Sequence, residues 1–465
     1  YFGIQLNEIK SQYQSQLLMN HPLAFLFDII NLRRVIMSKN NIKIIERRKM
    51  LKDDSLIIGI DIGSLFHSVV FQNKEGYILD KIEKIYNTRK GFNYLDNRIE
   101  LLIKKHELKE IHIGFEPTGN YWKNIIYHLH NKGHNVHFIR TTAIKSQREL
   151  DESSPSKNDI RDANLLATLV REGKFIDSKL QFGVYKNLRD VGKMRAKIMV
   201  MKTSMICRLR MLVQLYFPEL LDLFWAIDSV GFWRLLKQVQ FPSDLKEIND
   251  DELKNILQVR GLRKNRLEKM IESLKRASIN SIGLQSNDFD RFNILNCIES
   301  LELFHKQLKE IKIKMEELLN KTEYWELLKS IKGVGVVTAG TLLGELGDPS
   351  NFKDASNIIK FAGMDPKEKS SGKYKGKVKI SKKGRYLMRT IIYFISMRLI
   401  YRDEGFKAYY NYKINTRSAT GKYLEKREAL MAVGIKFIRV LFAMFRDKKK
   451  YLGIKIKEEY FKKRA

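Results

Sequence analysis

The segment Leu56-Ile57-Ile58-Gly59-Ile60-Asp61-Ile62-Gly63-Ser64 constrains the fold of this chain more than any other. It is a β-rich apolar run broken by a single carboxylate. A run of that kind, bounded by turn formers, reads as a strand buried on both faces of a sheet. An acidic side chain there carries a heavy desolvation penalty unless a hydrogen-bond network or a metal ion compensates it. Three further carboxylates stand in matching contexts. Glu116 ends the apolar segment Ile111-His112-Ile113-Gly114-Phe115, and Asp159 and Asp162 lie three apart at the start of a helical pattern, so they project from one face. A strand-end Asp, a strand-end Glu and a helical Asp pair make an oxygen-rich set suited to Mg²⁺ or Mn²⁺. Sets of this type serve two-metal phosphodiester chemistry.

The surrounding pattern predicts strands over 56–62, 68–73 and 77–85, joined by short turns. A helix over 89–106 carries Phe92, Leu95, Ile99, Leu102 and Ile103 on one stripe. A strand over 111–116 follows, then the turn Pro117-Thr118-Gly119-Asn120, a helix over 121–131 with Gly133 as its C-cap, and a strand over 135–139. A short helix over 142–150, a polar loop over 151–157 and a helix from Asn158 or Asp159 to Arg171 complete the unit. Three antiparallel strands followed by two helix–strand units is the order of an α/β RNase H-like (RuvC-like) domain. In that fold the first and fourth strands lie side by side and parallel, so Asp61 and Glu116 meet at adjacent C-terminal strand ends, where open α/β sheets place ligands.

The remainder divides by pattern. Residues 1–54 read as an N-terminal extension or translated upstream sequence, with Met37 and Met50 as candidate starts, ahead of the catalytic domain at 55–178. Residues 179–326 read as a long helical, coiled-coil region. In it Ile294, Cys297, Leu301, Phe304, Leu308, Ile311, Met315 and Leu318 keep a three-four spacing. That seam suits either a coiled coil joining protomers or one long helix packed within its own chain. Residues 327–445 read as a mostly α domain. Its Gly333-Val334-Gly335 resembles the turn of a helix-hairpin-helix, where glycines let backbone approach a phosphate. Candidate nucleic-acid contacts there are Lys332, Gly333, Gly335, Lys369, Lys373, Lys375, Lys382, Lys383 and Arg385, and residues 446–465 form a basic tail.

Composition selects the partner. Lys and Arg total 86 against 53 acidic residues, a net charge of +33, which favours a polyanion through counterion release. A membrane is the rival polyanion, but no apolar segment reaches the roughly 18 residues that a spanning helix needs. The two cysteines, Cys207 and Cys297, have no Cys or His at metal-ligand spacing, which argues against zinc and disulfides and for a reducing cytoplasm.

With these residues in place the chain resembles the DEDD transposases of the insertion sequence one-ten family. The resemblance rests on Gly59-Ile60-Asp61-Ile62-Gly63, Phe115-Glu116-Pro117-Thr118-Gly119, Lys157-Asn158-Asp159 with Asp162-Ala163, Gly333-Val334-Gly335, Gly363-Met364-Asp365-Pro366, Ser370-Ser371-Gly372 and Ile380-Ser381-Lys382-Lys383-Gly384. They occur in the family's order across about residues 55–400, and the first fifty residues fall outside the match. The resemblance implies a bacterial recombinase with the metal tetrad Asp61, Glu116, Asp159 and Asp162. It further implies a nucleophilic serine, here Ser371 with Ser370 beside it, and a homo-oligomer, dimer or tetramer. It also implies a structured bridge RNA that pairs donor and target DNA.

Three rival readings compete with this one. Asp61 in Asp-x-Gly could serve an actin-like ATPase, but no second phosphate loop or adenosine motif follows. A RuvC-like junction endonuclease would use the same carboxylates with activated water and no serine. A nucleic-acid-binding scaffold would hold them as structural groups. Ser370 and Ser371, without the resemblance, read as a polar turn, because a serine is a poor nucleophile until a base, metal or cation stabilises its alkoxide.

Overall fold

The computed structural model describes residues 39–151, 158–176, 180–224, 226–258, 264–367, 370–371, 374–375, 379–415, 417, 421 and 423–453. The chain divides into two compact units, the first ending at Leu180 and the second starting at Gln181.

The first unit is a five-stranded mixed sheet with helices on both faces. Its elements run α1 (Lys39–Met50), β1 (Ser55–Ile62), β2 (Phe66–Gln72), β3 (Ile78–Tyr86), α2 (Arg89–His106), β4 (Glu110–Phe115), α3 (Trp122–Asn131), β5 (Asn135–Phe138), α4 (Thr141–Asp151) and α5 (Asp159–Arg171). Strand order is β3-β2-β1-β4-β5. β2 runs antiparallel to β1 and β3, whereas β4 is parallel to β1 and β5 parallel to β4. Every strand expected in this segment is present, its ends shifted by a residue or two. Alternation splits β1 between two cores. Leu56, Ile58 and Ile60 meet Leu95, Ile99 and Leu102 of α2 on one face, and Ile57 meets Leu165, Leu166 and Leu169 of α5 on the other.

Residues 39–54, expected as part of a loose extension, are built into this unit. Leu51 is buried in the core beneath α5. Arg47 donates to the Gly173 carbonyl at 3.3 Å and Arg48 to that of Glu172 at 3.1 Å. The cationic end of α1 thus satisfies backbone carbonyls just past the end of α5, where positive charge is favoured. The rest of the expected extension, residues 1–38, lies outside the described residues.

The second unit is helical apart from four two-residue strands. Two long helices, α6 (Gly183–Tyr216) and α11 (Asp288–Leu319), pack on each other. Between them in sequence come α7 (Leu220–Leu223), α8 (Val230–Gln238), α9 (Asp250–Leu257) and α10 (Lys264–Ile279), which close a core with one end of the pair. The chain then runs through α12 (Trp325–Lys329), α13 (Val336–Leu346), α14 (Ala355–Phe361), β6 (Pro366–Lys367), β7 (Ser370–Ser371), β8 (Tyr374–Lys375), β9 (Lys379–Ile380), α15 (Tyr386–Arg402), α16 (Glu404–Asn415) and α17 (Lys426–Asp447). A second core joins α13, α15 and α17 to Leu188 of α6. The segments expected as separate domains at 179–326 and 327–445 therefore share α6 within one compact unit.

The heptad seam is spent inside the chain. Ile294, Cys297, Leu301, Ile311, Met315 and Leu318 are all buried, and Phe304 and Leu308 partly so. Their neighbours are intramolecular: Leu209, Leu212 and Val213 of α6 at one end and Ile198 nearer the other. Of the two readings open to the seam, the structure takes the intrachain helix, and the expectation of a coiled coil between protomers is corrected. Among the described residues no helix is long and apolar enough to cross a membrane.

Candidate active site

The register of β1 against β4 places the first two carboxylates. Gly59 pairs with Gly114 and Ile60 with Phe115, so Asp61 and Glu116 fall at matching positions at the same end of two parallel neighbours. Each carboxylate lies two residues beyond its glycine and so on the same sheet face. That face is the one α5 covers. A Cβ on Gly59 would stand 1.9 Å from the Ala163 carbonyl oxygen and 2.5 Å from the Ala167 nitrogen, and one on Gly114 would stand 2.4 Å from Val170 Cγ2. The paired glycines therefore form a slot into which the α5 backbone sinks. Asn158 caps that helix by accepting from the Ile160 N–H at 2.9 Å, which fixes Asp159 and Asp162 in its first turn.

The result is an open cleft of about 440 Å³ lined by all four carboxylates, together with Ser64, Ser68, Thr118, Ile144 and Arg148. Asp61 and Glu116 are half-buried, Asp159 is exposed and Asp162 is buried. Arg148 of α4, which the sequence pattern did not single out, reaches into the same cleft. Its Nε donates to Asp162 Oδ1 at 3.1 Å, and its Nη2 makes an ion-pair contact with the same oxygen at 2.5 Å. The donor set fits Mg²⁺ or Mn²⁺ in kind, being all carboxylate oxygen. Among the described residues, however, no three such side chains are drawn together closely enough to hold an ion. The cleft gathers the four groups, and the guanidinium sits on the one buried deepest.

The second unit holds the remaining expected residues. Gly333, at φ +101°, and Gly335, the N-cap of α13, lie in the turn between α12 and α13. The two ends of the segment from Gly363 to Gly384, called the strap below, meet at its base. A Cβ on Gly384 would stand 2.3 Å from the Gly363 nitrogen and 2.5 Å from the Phe361 carbonyl oxygen, so the two backbones cross where only glycine fits. Ser381 donates its hydroxyl to Asp365 and its N–H to the Asp365 carbonyl, and Pro366 pairs with Ile380 in register. Ser370 pairs with Lys375 and Ser371 with Tyr374, which places the two serines on β7, antiparallel to β8. Gly372, Lys369 and Lys373 lie outside the described residues.

Lys332, Lys382 and Lys383 are exposed. Arg385 differs from them: it stacks over Phe361 at 4.8 Å and pairs at 3.4 Å with Glu345, which also meets Arg189 at 3.6 Å. Burial, reinforced by Arg189, lowers the Arg385 guanidinium to about 10. The arginine anchors the foot of the strap to α13 instead of projecting into solvent.

Comparison with known proteins matches both halves of this description. A DEDD transposase family of the IS110 type, described as "Transposase", matches residues 58–218, which run from within β1 through α5 and the whole of α6. The "Transposase IS116/IS110/IS902 family" matches residues 325–411, from α12 through the strap to α16. Among relatives, a 44.8 kDa protein of insertion element IS116 from Streptomyces clavuligerus is 22% identical over 401 residues, covering 86% of this chain and 96% of the relative. The transposase for insertion sequence element IS1111A from Coxiella burnetii is 22% identical over 372 residues, 77% of this chain and 81% of that protein. A 43.6 kDa protein of insertion element IS110 from Streptomyces coelicolor is 30% identical over 148 residues, 32% of this chain and 35% of the relative. The chain belongs to the IS110 family of DEDD transposases, enzymes that act on DNA.

Proposed function

We propose that this transposase cleaves and rejoins DNA with a metal-bound tetrad of Asp61, Glu116, Asp159 and Asp162 and with Ser371 as nucleophile, guided by a structured RNA encoded beside it. The observation that carries the reading is the single cleft lined by all four carboxylates, delivered there by β1, the end of β4 and the first turn of α5. The strand order and the parallel β1–β4 pair support an RNase H-like sheet beneath it. Divalent cations at such carboxylates polarise a phosphodiester and stabilise the charge that develops during its cleavage.

The chain's own groups divide the work. Asp61 and Glu116 stand on strand ends whose positions the register fixes, and Asp159 and Asp162 stand on a helix locked into the Gly59–Gly114 slot. Ser371 attacks phosphorus through its hydroxyl oxygen, and the departing strand leaves with its own oxygen protonated. The phosphoserine ester conserves the energy of the broken bond, so a DNA hydroxyl can reverse the step and rejoin strands without an outside energy source. Ser371 lies on β7, paired with β8, and the exposed Lys382 and Lys383 supply cations for phosphate oxygens.

The test combines nicking and adduct assays on supercoiled plasmid with Mg²⁺. Asp61→Asn and Glu116→Gln are expected to abolish nicking while retaining DNA binding. Ser371→Ala is expected to lose the protease-resistant protein–DNA adduct, and Ser370→Ala to keep part of it. An adduct that persists in Ser371→Ala and disappears in Ser370→Ala would assign the chemistry to the neighbouring serine. Nicking unaffected by either change would transfer it to water, as in a junction endonuclease.

A further inference from the structure

Among the described residues that line the carboxylate cleft, Arg148 is the one cation. Its helix is well held. Ile144, one turn earlier on the same face, is buried in the core with Ile57 and Leu165. Gln147 accepts from Lys174 at 2.8 Å. Opposite, Asp162 is fixed by the seat of α5 in its glycine slot, and its side chain is only 12% exposed. The two groups are thus presented to each other by elements that packing holds in place.

The guanidinium meets the carboxylate through one of its oxygens. A guanidinium that clamps a carboxylate for stability commonly engages both oxygens in parallel. Here the Nε hydrogen bond and the Nη2 ion-pair contact both fall on Oδ1. Another cation approaching Oδ1 must compete with this guanidinium. Among the described residues that line the cleft, four carboxylates stand against this one guanidinium, a formal charge of −3. A cleft of that charge repels a phosphodiester. Two divalent cations would reverse the sign, and they would also compete with the guanidinium for Asp162. Once displaced, the guanidinium would be left in a partly desolvated cleft and would need a new anion. A phosphate oxygen of entering nucleic acid is the anion that chemistry provides, and the planar fork of arginine suits it.

We propose that Arg148 is a gate on the tetrad: an internal cation that occupies Asp162 until divalent metal and a phosphodiester enter together, at which point it transfers from carboxylate to phosphate. The proposal rests on the tetrad being the metal site. Its consequence is linkage. Each of metal and DNA removes a cost the other would otherwise meet, so each strengthens the other's binding, and neither alone assembles the site efficiently.

The test reads metal binding, not turnover. Mn²⁺ affinity of the full-length protein is measured by electron paramagnetic resonance titration, with and without a short DNA duplex, for wild type, Arg148→Gln, Arg148→Lys and Asp162→Asn, with thermal melting as a control for folding. Without DNA, Arg148→Gln is expected to bind Mn²⁺ on the order of fivefold to tenfold more tightly than wild type, a coupling of ordinary size. Arg148→Lys, which keeps the charge and loses the fork, is expected to fall between them. The duplex is expected to raise wild-type Mn²⁺ affinity and to raise that of Arg148→Gln much less. DNA cleavage by Arg148→Gln should fall even though its metal site fills more readily, a combination that a merely structural role does not produce. Equal or weaker Mn²⁺ binding by a folded Arg148→Gln, with Asp162→Asn blind to Mn²⁺, overturns the gate and leaves the tetrad standing. Wild-type Mn²⁺ binding by Asp162→Asn overturns the metal assignment and the gate with it.

Discussion

A hydrogen atom is the largest side chain that position 59 accepts. The Ala163 carbonyl oxygen lies 1.9 Å from where a Cβ would stand, and backbone, unlike the far end of a flexible side chain, cannot turn aside. Gly59→Ala must therefore lift α5 from β1 and carry Asp162 away from Asp61. Overpacking of this kind costs about 1–3 kcal/mol, and the same shift disassembles the site. The expected outcome is a lower urea midpoint together with loss of nicking. Gly335→Ala, where nothing lies within 4 Å of the new Cβ and φ is −99°, serves as the control and should retain the wild-type midpoint. Wild-type nicking by Gly59→Ala would show that the slot does not position the tetrad. At this scale the sequence was largely legible for the acids and silent on their partners. Asp61 and Glu116 announce themselves because a charge in an apolar strand violates the local pattern. The glycine two residues before each was equally visible, but its meaning depends on α5, about 50 residues or more away. Arg148 gave no signal at all, since one arginine in a polar helix looks solvated until the helix is placed.

Elements were legible where their signal is local. The sheet's period-two runs and the stripe on α2 fixed strands and helix to within a residue or two, because alternation and helical spacing are read within one segment. The seam on α11 shows where that stops. Three-four spacing specifies that a long face is covered and says nothing of what covers it; the answer lay in α6, with Leu209, Leu212 and Val213 brought against it by the fold. For the same reason α1 went unrecognised, since its hydrogen bonds to Gly173 and Glu172 span more than 120 residues. The intrachain packing has a consequence that separates it from a protomer interface. Leu301 is fully buried, so Leu301→Glu places a charge in the core of the second unit with no partner. Replacing such a residue costs several kcal/mol, roughly 3–5 by analogy with large core truncations and worse for a charge. The expected product is a destabilised or unfolded protein, seen as a lost melting transition by circular dichroism. A well-folded Leu301→Glu protein of reduced mass in light scattering would instead restore the seam to an interface between copies.

For the molecule as a whole, charge is the property that folding does not consume. Lysines and arginines exceed acids by 33, an excess that no pairing with the 53 acids can neutralise. The tetrad cleft, taken by its lining groups, runs against this sign. Affinity and chemistry should therefore respond to different variables. Binding to DNA, driven by displaced counterions, is expected to weaken steeply with salt, with log affinity falling against log salt by about 0.9 for each phosphate neutralised on a duplex. An Asp61→Asn protein should give the same slope as wild type, because that carboxylate neutralises no phosphate. Lys382→Gln with Lys383→Gln should give a shallower slope, by about one unit for each phosphate that the two lysines neutralise in the wild type. The measurement is fluorescence anisotropy of a labelled duplex over a range of salt concentrations, repeated with a structured RNA. If the slope were flat for both nucleic acids, counterion release would not drive binding, and the positive excess would need another partner. If the slope were steep but unchanged by the two lysine substitutions, the nucleic acid would run over another surface of the second unit, and the base of the strap would be solvated rather than engaged.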